Sequence, residues 1–292
     1  MLSIRYIMLI LSKNVFNKIT AAIKLSRPGN VAITGLSVLV GTSGYGIRAH
    51  AWDIVLAAVS AMLIASGGNS LNDYYDLEID KVNRPQRPLP AGLLQPKTAV
   101  YLGYFWIALG LVLAYFIGIK PLALALAVSI LLWLYAARGK RMGLAGNLAV
   151  ALVCGLAFVY GGLTVENIGI SLFPAGFAFL MHLSREIIKD VQDRSGDLSQ
   201  GARTLPITWG AERSLKLAAA VLMVLITLTP VPYLLGIYNI RYLLAVILGV
   251  DLMLAMMIMK LLTVPRDEDL ARISFFMKIV MLVGIMAISL GL

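Results

Sequence analysis

Residues 52–71 read WDIVLAAVSAMLIASGGNSL, and residues 72–80, immediately after them, read NDYYDLEID. The first stretch carries one charge, Asp53, in 20 residues, about the length a helix needs to cross ~30 Å of hydrocarbon. The second packs Asp73, Asp76, Glu78 and Asp80 into nine residues. An apolar span that runs straight into an acidic helical end needs lipid along its length and water at that end. The pair of segments therefore sets a membrane-embedded, helical fold. The unit recurs: the apolar run 168–184 leads into Glu186, Asp190, Asp193 and Asp197, so two short segments hold eight of the chain's 15 acids.

The rest of the 292 residues follows suit. Hydrophobic residues make up 60% and charged residues 14%, which excludes a water-soluble domain, where apolar residues are roughly 45–50% with glycine counted. Hydropathy and the Gly, Pro and charge breaks give nine spans, near 29–47, 52–71, 99–119, 121–137, 147–165, 168–184, 216–236, 241–260 and 272–291. The expected fold is all-α: a polytopic membrane bundle of about nine transmembrane helices, with cytoplasmic-side helical caps that carry the two Asp-rich segments. Residues 29–292 are expected to form one transmembrane domain, and 1–28 a cytoplasmic interfacial segment. In that segment Arg5 interrupts the run Leu2 to Leu11 and no small-x-small site follows, which argues against a cleaved signal peptide. Val15, Phe16, Ile19, Ala22 and Ile23 recur at helical spacing among lysines, as in an amphipathic helix lying in the interface. The one cysteine, Cys154, excludes a disulfide framework and a thiolate metal site.

The net charge of +10 is a matter of topology. With these spans, 21 of the 25 Lys and Arg fall on the side of the acidic segments; the other side holds Arg48, Lys120 and Arg241, and Lys278 lies inside the last span. The positive-inside rule then puts the N-terminus and both acidic segments in the cytoplasm. Nucleic acid is not an expected partner. Membrane lipids are.

Spacing within the acidic segments points to chemistry. On a helix, Asn72, Asp76 and Asp80 fall within about 80° of arc, and Glu186, Asp190, Asp193 and Asp197 within about 60°. Stacked carboxylates repel unless a cation neutralises them, and an all-oxygen set suits Mg²⁺, which takes one or two carboxylates and completes its octahedron with water and phosphate oxygens. Beyond the first cluster, residues 81–92 read KVNRPQRPLPAG. The three prolines hold this loop extended and present Arg84 and Arg87 near the acids. Two readings stay open here: the arginines grip a metal-bridged phosphate or diphosphate, or they pair with the acids directly.

Asn72 to Asp80, with the following NRPQRPLP at 83–90, closely resembles the NDxxDxxxD signature of the UbiA-type intramembrane prenyltransferases, and Asp193 to Asp197 matches that superfamily's DxxxD. The resemblance spans nearly the whole chain. It implies an enzyme that transfers an isoprenoid chain from an allylic diphosphate, with Mg²⁺ as cofactor. Carried over position by position, Asn72, Asp76, Asp80, Asp193 and Asp197 would be catalytic, and Asp76, Asp80, Asp193 and Asp197 the metal ligands. A π face at Tyr75 or Tyr135 would steady an allylic cation, the alternative role of both being interface anchoring. The stretch 185–206 is most similar to archaeal members that join a geranylgeranyl group to the hydroxyl of geranylgeranylglyceryl phosphate, and less so to members using homogentisate or chlorophyllide-type acceptors. Implied partners are thus an isoprenyl diphosphate donor and a lipid-like, phosphorylated hydroxyl acceptor. Expected substrate contacts are Arg27, Asn30, Tyr75, Arg84, Arg87, Tyr135, Lys140, Arg141, Lys189 and Asp190; topology and lipid headgroups are the other role open to the basic residues among them. Asn147 fits helix packing better than substrate contact. A transporter or Mg²⁺ channel is the alternative from another class, but it would need ionisable residues at the bilayer midplane, where only Asp251 and Lys278 lie.

Overall fold

The computed structural model describes residues 16–42, 50–139, 142–263 and 265–292, and these contain helices and connecting loops with no strand. Hydrocarbon offers no partner for backbone N–H and C=O groups, so each spanning segment satisfies them internally as a helix. In chain order the helices are α1 (16–26), α2 (Pro28–Gly41), α3 (Ala51–Tyr75), α4 (Leu77–Asn83), α5 (Pro96–Ile117), α6 (Ile119–Arg138), α7 (Leu144–Thr164), α8 (Leu172–Gln192), α9 (Arg194–Ser199), α10 (Leu205–Thr208), α11 (Ala211–Leu228), α12 (Val231–Leu234), α13 (Ile240–Val246), α14 (Leu252–Leu262) and α15 (Asp267–Gly291).

Among the described residues, seven stretches are long and apolar enough to cross a membrane: α3, α5, α6, α7, α11 with α12, α13 through α14, and α15. The chain is a multi-pass membrane protein. The two other expected spans differ for physical reasons. Helix α2 has only 14 residues, and α8 spends its last two turns on Arg185, Glu186, Lys189 and Asp190. Within the eighth expected span, a π-helical turn, Ile247–Asp251, joins α13 to α14. Asp251 there accepts a hydrogen bond from the Thr229 hydroxyl at 3.0 Å, so this intramembrane acid is tied to α11's end.

Helix α3 is the centre of the first half. Its span is 56% buried, against 22% for α5 and for α6, and it packs on α5, α2 and α6. Gly118, at φ 149°, turns α5 directly into α6, a backbone conformation that suits glycine. In the second half α8 packs between α7 and α11, and α15 against α13 and α8. Large apolar side chains such as Trp52, Tyr101, Phe116, Leu248 and Phe275 stay exposed, as expected of a surface bathed in lipid. Helix α1 buries Ala21 and Leu25 and leaves Phe16, Ile19 and Ile23 exposed.

Candidate active site

Both acidic segments fold into the same local device. Helix α3 ends at Tyr75, Asp76 sits at φ −86°, ψ 6°, and α4 begins at Leu77. Helix α8 ends at Gln192, Asp193 sits at φ −87°, ψ 3°, and α9 begins at Arg194. Four-residue backbone bonds run through each junction: Asp76 N–H to Asn72 O at 2.9 Å and Asp80 N–H to Asp76 O at 2.8 Å, Asp193 N–H to Lys189 O at 2.8 Å and Asp197 N–H to Asp193 O at 3.0 Å. The stacking expected from spacing therefore survives the breaks. Asn72, Asp76 and Asp80 correspond to Lys189, Asp193 and Asp197.

The loop arginines pair with the acids directly. Arg84 reaches both carboxylate oxygens of Asp193, at 2.8 and 2.9 Å. Arg87 donates to Asp80 at 2.5 Å and to Asp73 at 3.4 Å, and Arg27 donates to Asp73. Arg27 caps α2 in the left-handed region, φ 56°, an uncommon conformation for a residue with a Cβ. Burial alone would lower its pKa, but Asp73 holds it raised. Burial raises the pKa of Asp80 although Arg87 pulls it down, and burial lowers that of Arg87, with Arg27 adding to the effect. Both members of that pair are pushed towards neutrality, so desolvation outweighs their attraction.

Amides complete the network. Asn72 donates to Asp76 at 2.7 Å, and Asn147 on α7 to Asp190 on α8 at 3.0 Å, the helix-packing role expected of Asn147. Asn83 joins the two devices: its amide donates to Asp193 O at 2.9 Å and accepts from Gly196 N–H at 3.1 Å. Lys189 and Arg185 share Glu186.

These groups surround one end of a cavity of about 390 Å³. Of the expected site residues, Arg27, Asn30, Asn72, Arg84, Arg87, Tyr135 and Lys189 line it. Asp76, Asp80, Asp190, Asp193 and Asp197 do not line it; Asp80 and Asp193 are bonded to arginines that do. Tyr75 is not in the lining either. It is 42% exposed and packs edge-on against Tyr74, because it falls on the outer side of α3's last turn; the ring facing the cavity is Tyr135. Lys140 and Arg141 lie outside the described residues. Deeper walls are apolar, with Ile33, Ile64, Leu124, Val128, Leu132 and Val153. Spacing did not disclose Asp73, Asn83 or Arg185: Asp73 is off the shared face of its cluster, and nothing in a sequence pattern marks an amide that will bond a distant backbone.

The donor set fits a hard cation. It consists of carboxylate oxygens, and Asp80, Asp190, Asp193 and Asp197 are all buried. Among the described residues no three His, Cys, Asp or Glu side chains converge, so the pre-stacked all-oxygen cage expected from spacing is replaced by acids spread over two devices and interleaved with arginines. That arrangement suits Mg²⁺, which is held by one or two carboxylates and by substrate phosphates more than by a complete protein cage.

A charged end opening into an apolar chamber inside a membrane bundle accepts a molecule with an anionic head and a long hydrocarbon tail, so the class is an intramembrane enzyme of lipid-like substrates. Residues 32–282 match the UbiA prenyltransferase family, and the chain belongs to that family. It is 33% identical over 271 residues to the digeranylgeranylglyceryl phosphate synthase of Methanosphaera stadtmanae, covering 92% of this chain and 98% of that one. Its identity to the same enzyme of Methanopyrus kandleri is 36%, with 91% and 97% covered. A solved structure of a digeranylgeranylglyceryl phosphate synthase superposes with TM-score 0.73 at 30% identity, over 94% of this chain and 98% of the other. A UbiA homologue from Archaeoglobus fulgidus, solved with GPP and Mg²⁺, has TM-score 0.60 at 18% identity, over 92% and 99%, and shares the fold.

Proposed function

We propose that the chain transfers a geranylgeranyl group from geranylgeranyl diphosphate to the free hydroxyl of geranylgeranylglyceryl phosphate, forming an ether bond of archaeal lipids. The observation that carries this reading is the arginine-lined end of the cavity, bound to both Asp devices and continuous with an apolar chamber. Its support from relatives is the shared name of proteins similar over nearly their whole length.

Asn72, Asp76, Asp80, Asp193 and Asp197 hold the metal and diphosphate end, with Mg²⁺ supplying Lewis-acid neutralisation of charge on the leaving group. Arg27, Arg84 and Arg87 orient the diphosphate oxygens. The C1–O bond of the donor breaks with its electron pair leaving on the diphosphate; the acceptor oxygen bonds C1 and gives up its proton to the released diphosphate. Tyr135, which lines the chamber, offers its ring to the allylic cation, and the apolar walls keep water from capturing it. Asn30 lines the same chamber, Asp190 is held by Asn147, and Lys140 and Arg141, between α6 and α7 in the sequence, contact the acceptor phosphate. Residues 29–292 act as one domain, 1–28 lie in the interface, and the site faces the cytoplasm of the cell membrane.

The test is turnover by purified protein given labelled geranylgeranyl diphosphate, Mg²⁺ and a panel of acceptors. Asp76→Asn and Asp193→Asn are expected to lower kcat by about 10²–10³-fold, the scale of losing one stabiliser of transition-state charge, in folded protein. Undiminished activity in EDTA would dismiss the metal, and prenylation of 4-hydroxybenzoate with none of the glyceryl phosphate would dismiss the acceptor.

A further inference from the structure

The cavity has cations that the Asp devices do not balance. Arg27, Arg84 and Arg87 are each held by a carboxylate, from Asp73, Asp193 and Asp80. On the wall built by α8 and α15, Arg185 and Lys189 share the single carboxylate of Glu186. Lys278 lines the cavity there and makes no ion pair or hydrogen bond with a described residue. It stands about three turns into α15, one turn beyond Ser274 on the same face. Arg185 is 9% exposed, and its Nε has no hydrogen-bond partner among the described residues. An ionisable side chain inside a span is costly, and it persists where it faces a cavity and meets a partner. A buried guanidinium N–H without an acceptor is costly as well. Two separate groups on one wall therefore call for the same thing, an anion in the chamber.

We infer that Arg185, Lys189 and Lys278 form a second anion subsite, which takes the phosphate monoester of the acceptor, while the arginines at the Asp devices take the donor diphosphate. This rests on the reaction proposed above. Three cations against one carboxylate leave two positive charges, and a phosphate monoester brings about −1.5 to −2 at pH 7. Its three oxygens also suit several N–H donors at once. An aromatic carboxylate brings only one charge, and a neutral phenol none. Both anion sites border one chamber, so the acceptor hydroxyl reaches the donor's allylic carbon without either head entering hydrocarbon.

The test is binding and kinetics of the full chain in detergent with three probes: geranylgeranylglyceryl phosphate, its dephosphorylated alcohol, and a non-hydrolysable thiolo analogue of geranylgeranyl diphosphate. Lys278→Met should weaken binding of the phosphate probe and raise its KM by at least about tenfold, the scale of a lost charged hydrogen bond. Affinity for the alcohol and the donor analogue should stay within about twofold, and Lys278→Arg should recover most of the loss. Retained binding of the donor analogue shows that the variant is folded. Unchanged affinity for the phosphate probe overturns the subsite. So does an equal loss for the donor analogue, which would move Lys278 to the diphosphate, or a fall in kcat at constant KM. If the wild-type chain binds no phosphate probe and prenylates an aromatic acceptor, the underlying reaction fails and takes the subsite with it.

Discussion

Asn83 is the smallest part on which the site depends, because one side-chain amide serves backbone groups at Asp193 and Gly196 and so sets the distance between the two Asp devices. A Cβ added at Gly196 would stand 2.5 Å from the Asn83 amide nitrogen, and the amide would have to leave. Gly196→Ala is therefore expected to lose both hydrogen bonds, costing about 1–3 kcal/mol, with a lower midpoint of thermal denaturation and reduced kcat. Asn83→Ala should do the same, and the double variant should add little, since both remove one contact. Fully additive losses would show that the two residues act separately. The sequence reached this region but not this residue. The prolines predict an extended loop at 81–92, but α4 runs on to Asn83 and the residues after it fold into successive turns, with Arg87 N–H bonded to Arg84 O at 3.0 Å and Ala91 N–H to Arg87 O at 2.9 Å. Proline fixes φ without preventing turns, and Asn83 depends on where α9 comes to rest. The choice between Tyr75 and Tyr135 was hidden for the same reason: either ring can anchor at an interface, and only packing decides which one faces the chamber.

At the scale of elements, four-residue spacing was a sufficient guide to the acidic segments because the backbone bonds continue through Asp76 and Asp193. Their mutual pairing with arginines was not, since a stacked acid accepts a metal or a guanidinium equally well by spacing. Helix α2 illustrates a further limit. At 14 residues it is too short to cross the hydrocarbon, yet it carries Arg27 and Asn30 into the cavity wall. It is held by close backbone approach to α7: a Cβ at Gly161 would lie 2.1 Å from Val38 O, and one at Gly41 2.1 Å from Phe158 O. Small residues at such crossings let membrane helices pack without a hydrophobic driving force. Gly161→Ala is accordingly expected to push α2 away from α7. Stability should fall by about 1–3 kcal/mol, as for an overpacked core, and affinity for the donor analogue should fall with it as Arg27 shifts. Thermal denaturation and donor-analogue titration check the two effects together; a destabilised variant with full donor affinity would detach α2 from diphosphate binding.

Over the whole molecule, helix direction and charge give one consistent orientation. Helices α3, α6 and α8 end, and α2, α5, α7, α11 and α15 begin, on the side of the Asp devices, the side to which the sequence-derived spans assign 21 of the 25 basic residues against three for the other. Each Lys or Arg near an anionic leaflet is worth ~1 kcal/mol, so an asymmetry of this size predicts the topology. The active-site face should then be cytoplasmic, where soluble Mg²⁺ and the released diphosphate are handled. Single cysteines introduced into a Cys154→Ala chain test this directly. Leu93→Cys and Gln200→Cys, in exposed loops on the Asp side, are expected to react with an impermeant thiol reagent only after the cytoplasmic face is opened. Leu235→Cys, exposed at the other end of the bundle, should react in intact cells. Labelling of Leu93→Cys from outside, with Leu235→Cys protected, would invert the molecule and place the chemistry on the outer surface. The charge count would then have to be explained by lipid-headgroup binding around the site.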